Sequence, residues 1–232
     1  MKELYRRKPE LLVYIDASVI IKYNQCLDKM LKDIEKEANK SGYNVKFVIS
    51  EKVIEEVDRN IKDNKNINKN RKYYSYTILT TSELDYLVLK YNNEGDRVNL
   101  VYEFHQNPRK FKVFESSVMI DDQFEMAIGL DEYIDPSDSS HIACVYYLGK
   151  AEGSRRKKKI IPIVVTYDNR IVRYNPKINK YVLVISPERL INELKNGKDI
   201  ETIRKGIIEE KRSDLEERLQ RKSKNNKLWL IE

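Results

Sequence analysis

The feature that most constrains the fold is a set of four short apolar runs rich in Val and Ile. These runs do not alternate apolar with polar residues, which is typical of strands buried on both faces of a parallel sheet. The stretches between them carry apolar residues at helical spacing, so we predict an α/β fold with a mainly parallel central sheet flanked by helices. The predicted strands are residues 11–15, 45–49, 160–165 and 181–185, and the predicted helices are residues 20–38, 53–61, 136–148 and 190–194.

Two further segments stand outside this alternation. After a loop dense in Asn and Lys, an insertion of about residues 62–120 is predicted to hold a helix at 84–89 and a hairpin of 98–104 and 111–114, turned at Asn107 and Pro108. Apolar residues at 203, 207, 208, 215 and 219 predict a long amphipathic helix, whose ordinary role is packing or self-association. We therefore predict a core domain of residues 9–190 that carries the insertion, and a helical C-terminal extension of residues 191–232.

The charge balance favours a polyanionic partner. Lys and Arg total 44 against 37 Asp and Glu, a formal net charge of +7, which suits nucleic acid, although an ordinary solvated surface also gives such a balance. Cys26 and Cys144 lie far apart without metal-type spacing, so we expect neither a disulfide framework nor a zinc site, and we expect a cytoplasmic location. We expect no membrane-spanning segment, because the apolar run 11–15 is short and ends at Asp16.

Acidic residues follow two of the predicted central strands. Asp16 ends the first run, and Asp168 follows the run 160–165 with Thr166 beside it. In an open α/β sheet, ligands bind beyond the carboxyl ends of the strands, so both acids are placed where a site would form. Taken singly, Asp16 can also be explained as a turn former or a helix cap, and Asp168 as part of a polar strand-end loop.

A third acid, Asp138, lies in the first turn of a predicted helix that Asp135 and Pro136 introduce. There it could serve as the acidic member of a capping box. However, Asp138 shares a helical stripe with the apolar Ile142 and Val145, so it heads the inward face of the helix.

A fourth acid, Glu56, borders the buried arc of the helix after the second strand. Val53 and Val57 help to define that arc. Glu55 points farther out and is the alternative candidate on this helix. Four convergent carboxylates in a basic protein are unfavourable unless cations occupy the site. Mg²⁺ prefers oxygen ligands and retains waters, so such a cluster predicts a site for Mg²⁺ or Mn²⁺.

The ordered phrases Ile-Asp-Ala-Ser-Val-Ile, Val-Ile-Glu-Glu-Val, Asp-Ser-Ser-His-Ile-Ala and Val-Val-Thr-Tyr-Asp-Asn resemble the successive acidic motifs of the PIN-domain ribonucleases. The resemblance covers roughly residues 9–190 and implies a PIN-like, Rossmannoid three-layer fold. It implies that Asp16, Glu56, Asp138 and Asp168 bind the metal and that the Thr166 hydroxyl supports Asp168. It further implies endonucleolytic cleavage of single-stranded RNA.

The spacing departs from the compact toxin members of that family. Glu56 and Asp138 are 82 positions apart (138 minus 56), and the extension is additional. A toxin with an antitoxin partner and an RNA-processing enzyme with a partner protein therefore both stay open, as does a homodimer formed through the C-terminal helix. Asp121, Asp122 and Asp135 stay open as further carboxylate donors.

Basic and aromatic residues offer substrate contacts. The run Arg-Arg-Lys-Lys-Lys at 155–159 either binds phosphates or is a solvated loop; we predict that Arg155, Arg156, Lys157 and Thr166 contact the substrate. Tyrosines at 73, 74 and 76 could stack on unpaired bases.

Two rival hypotheses are a metal-free ribonuclease that uses His105 and His141 as base and acid, and a non-catalytic RNA-binding adaptor with the same fold. Metal dependence distinguishes the three hypotheses: the carboxylate nuclease needs a divalent cation to cut RNA, the histidine enzyme cuts without one, and the adaptor binds without cutting.

Overall fold

The chain alternates strands and helices around one sheet. The computed structural model describes residues 8–23, 26–63, 86–106, 110–129, 136–168, 171 and 176–228. In chain order the elements are β1 Glu10–Ile15, α1 Ala17–Tyr23, α2 Leu27–Lys40, β2 Asn44–Ser50, α3 Glu51–Asp63, β3 Tyr86–Glu94, β4 Arg97–Gln106, β5 Lys110–Met119, α4 Asp122–Gly129, α5 Pro136–Arg156, β6 Ile160–Val165, a 3₁₀ turn Ile178–Lys180, β7 Leu183–Ile185, α6 Pro187–Lys195 and α7 Ile200–Leu228.

The sheet has seven strands among the described residues, in the order β5-β4-β3-β2-β1-β6-β7. Strands β3, β2, β1, β6 and β7 are mutually parallel. Strands β4 and β5 extend the sheet beyond β3, each antiparallel to the strand before it. All six residues of β1 are buried, as expected of a central strand covered on both faces. The predicted α/β class with a mainly parallel sheet is therefore confirmed.

The direction of strand addition reverses at β1. The chain moves from β1 to β2 and β3 on one side, and later adds β6 and β7 on the other. Because parallel crossovers are right-handed, this reversal puts helices on both faces, with α2 packed on β2 and α5 packed on β6 and β1. The topology switches between β1 and β6, and the carboxyl ends of strands at such a point are where open α/β sheets bind ligands.

Pro162 lies inside β6, as its position in the run 160–165 requires. It aligns with Leu12 of β1, but β7 pairs with β6 only from Ile163 onward. A proline cannot donate to a sheet ladder, so the short β7 starts where β6 again has donors.

The predicted helix at 84–89 is wrong. Residues 86–94 form strand β3, which pairs parallel with β2 and antiparallel with β4, while residues 84 and 85 lie outside the described residues. The apolar run there fits either element, and pairing on both sides decides for the strand. The hairpin strands are confirmed as β4 and β5, with residues 107–109 at its turn outside the described residues. The predicted insertion thus contributes three strands to the main sheet.

The predicted helix at 20–38 is two helices, α1 and α2. They have different partners, since α1 packs on α3 whereas α2 packs on β2 and α6. One straight helix cannot reach both places.

The C-terminal segment packs against the core. Helix α6 begins at Ser186, whose hydroxyl accepts the Arg189 N–H, and it crosses the predicted boundary at 190/191. The predicted long helix is confirmed as α7, whose Ile200, Ile203 and Ile207 are buried in the core. Among the described residues, no helix is both long and apolar enough to cross a bilayer. Cys26 and Cys144 are free thiols.

Candidate carboxylate site at the ends of β1 and β6

Asp16 lies directly after β1, beside the carboxyl end of β6. Its backbone N–H donates to the carbonyl of Val165, and the residue is only 8% exposed. One carboxylate oxygen, Oδ2, accepts hydrogen bonds from the Thr166 hydroxyl at 2.8 Å, the Ser18 hydroxyl and the Ser18 backbone N–H at 3.3 Å. These donors fix the orientation of the carboxylate.

Thr166 and Ser18 connect the two strand ends. The Thr166 hydroxyl accepts the backbone N–H of Asp168 at 2.9 Å, and the Ser18 hydroxyl accepts that of Tyr167 at 3.0 Å. Thr166 is fully buried, so in this structure it positions neighbouring groups, and its contact with substrate stays a prediction. Its hydroxyl donates to Asp16, and it meets Asp168 through the backbone and not through the carboxylate.

His141 approaches the other oxygen of Asp16. Its Nδ1 lies 4.0 Å from Asp16 Oδ1, and its ring meets Tyr14 edge-on with the centroids 5.7 Å apart. Burial lowers the pKa of His141 although the Asp16 charge opposes this, so the imidazole is neutral at pH 7. Neither ring nitrogen has a hydrogen-bond partner among the described residues, which is rare for buried polar atoms.

Glu56 lies close enough to Asp16 for the two charges to interact. Helix α3 starts directly after β2, where the Ser50 hydroxyl accepts the Val53 N–H, and this puts Glu56 in its second turn. Burial and the negative charge of Asp16 raise the pKa of Glu56 above its ordinary value. Glu56 is half-buried whereas Glu55 is exposed, so Glu56 is the acid of this helix that senses the site.

Asp138 and Asp168 are both half-buried at this edge. Asp138 lies one turn before His141 on α5, and Asp168 lies two residues after Thr166. However, no three Asp, Glu, His or Cys side chains in the described part of the chain are grouped closely enough to hold a metal ion. Asp16 and Glu56 thus lie close enough for their charges to interact, but the four predicted acids do not form one metal-binding group among the described residues.

Asp121 is committed elsewhere. It accepts hydrogen bonds from the Tyr146 hydroxyl at 2.7 Å, the Phe124 N–H at 3.1 Å and Lys150 at 3.3 Å. Asp122 is exposed. Asp135 lies outside the described residues, as do the tyrosines at 73, 74 and 76.

The predicted phosphate contacts of the basic run are not placed near the carboxylates. Arg155 donates twice to Glu152 at 2.8 Å, and Arg156 donates to Glu10 at 2.5 and 2.9 Å. Glu10 starts β1, so these ion pairs lie at the opposite end of the sheet from Asp16, about 20 Å away at 3.3 Å a residue. Both arginines, with the exposed Lys157 between them and β6, therefore lie at the edge of the sheet opposite Asp16, and their contact with substrate stays a prediction.

The two histidines belong to parts of the backbone that lie far apart. His105 lies on β4, three strand spacings from β1, which is about 14 Å at 4.8 Å a spacing. Its backbone is level with Tyr86 and, through Phe47, with Val13, whereas His141 contacts Asp16 beyond the end of β1.

The Asp16 network was only partly foreseeable. Ser18 was missed, and its signal is local: a hydroxyl two residues after a strand-ending aspartate can bond back to it. The approach of His141 to Asp16 joins residues far apart in the chain and has no local signal.

Comparisons with known proteins give no family. No protein-family model matches the chain, and no curated protein is similar to it. The chain is similar to the solved structure of protein VC0702 from Vibrio cholerae, at 10% identity over 66% of this chain and 85% of that chain. The TM-score of 0.19 is too low for this likeness to carry an argument about fold or function.

Proposed function

We propose that the protein is a PIN-like, metal-dependent endoribonuclease that cleaves single-stranded RNA at the carboxylate edge. The observation that carries the proposal is Asp16, held through one oxygen by Ser18 and Thr166 at the topological switch point, with Glu56 within its electrostatic reach. An oriented carboxylate at the switch point that raises the pKa of a neighbouring acid is typical of a functional site.

The charge environment of these acids fits a divalent cation. The donors to Asp16 are neutral hydroxyl and N–H groups, and no Lys or Arg forms an ion pair with Asp16 or Glu56 among the described residues. Their repulsion, with Asp138 and Asp168 at the same edge, is relieved by Mg²⁺ or Mn²⁺, which favour carboxylate oxygens. Such an ion, when bound, would supply an activated water and stabilise the leaving oxygen.

Asp16 and Glu56 are the residues that we assign to the ion first. Thr166 and Ser18 orient Asp16, and the neutral ring of His141 closes its inner side against Tyr14. The net charge of +7 supports a polyanionic substrate. The motif resemblance supports RNA, and the free thiols of Cys26 and Cys144 support a cytoplasmic location.

One observation favours the alternative of a non-catalytic RNA-binding adaptor. The described side chains do not assemble a group of three metal-binding residues. An adaptor binds RNA equally well in the presence and absence of a divalent cation and leaves the strand intact.

The test is cleavage of end-labelled single-stranded RNA in Mg²⁺, in Mn²⁺ and in EDTA. We expect cleavage only with metal, and we expect Asp16→Asn to lower its rate at least about 100-fold, the scale of losing one preorganised electrostatic group. The matched control is Asp96→Asn in the exposed turn between β3 and β4, which should cut normally. Cleavage that persists in EDTA would overturn the metal mechanism, and binding without cleavage in any metal would favour the adaptor.

A further inference from the structure

A basic groove lies away from the carboxylate edge, between α5, the start of β6 and the start of α7. It encloses about 430 Å³. Its walls carry five cationic side chains against one acid, Glu201; the cations are Lys150, Lys158, Lys159, Lys180 and Arg204.

Three of the cations already have acidic partners. Lys158 is 3.1 Å from Glu10, Lys150 is 3.3 Å from Asp121, and the exposed Lys159 is 3.8 Å from Glu201. Lys158 is nearly buried, so its role is largely structural. A fourth cation, Arg204, shares Glu201 with Lys159, and Lys180 has no acidic partner among the described residues.

Lys180 and Arg204 are the least compensated cations of the groove. Lys180 is exposed and has no acidic partner among the described residues. Arg204 donates to the backbone carbonyl of Lys180 at 3.2 Å and lies 3.9 Å from Glu201, which Lys159 shares. One acid thus serves two cations at long range.

Arg204 is also incompletely hydrogen-bonded. Its side chain is 14% exposed, and its buried Nε has no hydrogen-bond partner among the described residues. Burial lowers the pKa of Arg204 against the opposing effect of Glu201. An anion in the groove would supply the counter-charge that the Arg204 guanidinium lacks.

The lining of the groove suits a nucleic-acid strand. Gly149 and Gly153 on α5 contribute no side chain, while the rings of Tyr146 and Tyr181, 5.7 Å apart, also line the groove. Cations beside aromatic rings are the combination that binds a nucleic-acid backbone and its bases.

We propose that this groove binds the phosphate backbone of single-stranded RNA at a second position, separate from the place of cleavage. The identity of the polyanion as RNA rests on the proposed function. Lys159 precedes β6 and Thr166 follows it, so the two positions are about 20 Å apart at 3.3 Å a residue. An RNA strand that occupies both positions extends over the protein surface between them.

The test separates binding from cleavage. Binding of a long, fluorescently labelled single-stranded RNA is measured in EDTA over a salt series for the full chain and for Lys159→Gln/Lys180→Gln. Both lysines are exposed, so the fold should be unaffected. We expect affinity to fall at least roughly tenfold at low salt and the slope of log affinity against log salt to become shallower by about 1.4, which is 0.7 for each lost phosphate contact.

The matched control is Lys29→Gln/Lys36→Gln, which removes two exposed positive charges from α2. Equal losses of RNA affinity in both double variants would show that only net charge matters and would overturn the proposal. Unchanged binding by the groove variant, or no binding by the wild type, would also overturn it. If the groove variant alone loses binding while the wild type cuts nothing in Mg²⁺ or Mn²⁺, the groove stands and the nuclease proposal falls. If Asp16→Asn abolishes cleavage while the groove variant binds normally, the nuclease proposal stands and the groove proposal falls.

Discussion

Asp16 shows how one buried carboxylate is held in a fixed direction. Oδ2 accepts hydrogen bonds from the two hydroxyls and from a backbone N–H, while Oδ1 lies 4.0 Å from His141 Nδ1. The donors to Oδ2 are neutral groups, so they orient Asp16 without forming an ion pair with it. The network therefore fixes the direction of this carboxylate at the end of β1.

Thr166→Val tests this network. The near-isosteric valine removes the donor to Asp16 and the acceptor of the Asp168 N–H, both in a fully buried position. We expect the free energy of unfolding to fall by about 1–3 kcal/mol and RNA cleavage to be lost with it. Thr166→Ser keeps the hydroxyl and should lose about 1 kcal/mol for the missing methyl group while still cutting RNA. Equal cleavage by the two variants would contradict the positioning role.

Glu56→Gln tests the interaction between the two acids. Burial and the Asp16 charge raise the pKa of Glu56, so the folded protein holds that proton more tightly than the unfolded chain. In EDTA, stability should therefore fall as pH rises from the ordinary carboxyl pKa through the raised one. Glu56→Gln should be more stable than the wild type above this window and equal to it below.

Urea unfolding at a series of pH values measures this difference. Glu55→Gln, the exposed neighbour on the same helix, is the matched control and should follow the wild type throughout. Adding Mg²⁺ should narrow the gap, because a bound cation stabilises the wild-type folded state by mass action. Parallel curves for Glu56→Gln and Glu55→Gln would show that Glu56 does not sense Asp16.

Among the elements, α5 contacts both ends of the sheet. Its first turns carry Asp138 and His141 at the carboxylate edge, and its last turn carries Arg156, which bonds Glu10 at the start of β1. Near the same end, the Tyr102 hydroxyl donates to Glu152, which also pairs with Arg155. These buried contacts hold the helix in register with β1 and β4.

Arg156→Gln tests that bracing. Burial alone would raise the pKa of Glu10, but hydrogen bonds from Arg156 and Lys158 lower it overall, so Glu10 is ionised while 3% exposed. Removing Arg156 leaves this buried charge with Lys158 alone. We expect a loss of about 3 kcal/mol in urea unfolding, at the low end of the range for breaking a buried ion pair. Lys157→Gln, one residue on and exposed, should cost almost nothing.

Local patterns predicted some elements and not others. The buried runs of β1, β2 and β6 are continuous apolar stretches, and their strand character is readable without partners. Strand β3 was predicted as a helix because its identity depends on pairing with β2 and β4. The Glu10–Arg156 pair joins residues 146 positions apart, so the basic run gave no local sign that its arginines are neutralised.

For the whole molecule, the order of the strands locates the site better than any single motif. Asp16 and Asp168 were predicted at the carboxyl ends of two central strands, and these strands are neighbours at the switch point. The closeness of Glu56 and His141 depends on how α3 and α5 pack on the sheet, which the sequence pattern did not specify. The groove cations come from α5, β6, the 3₁₀ turn and α7, and their meeting has no sequence signal.

The hydrogen bond between Thr166 and Asp16 spans 150 positions of the chain. The β3–β4–β5 hairpins close small loops, whereas pairing β1 with β6 closes one of the largest in the molecule and carries the greater entropic cost. On a ribosome, a chain that has not yet exposed β6 can already pair β1 with β2 but cannot yet bring Thr166 beside Asp16. The carboxylate edge is therefore completed only late in synthesis, after β6 has joined the sheet.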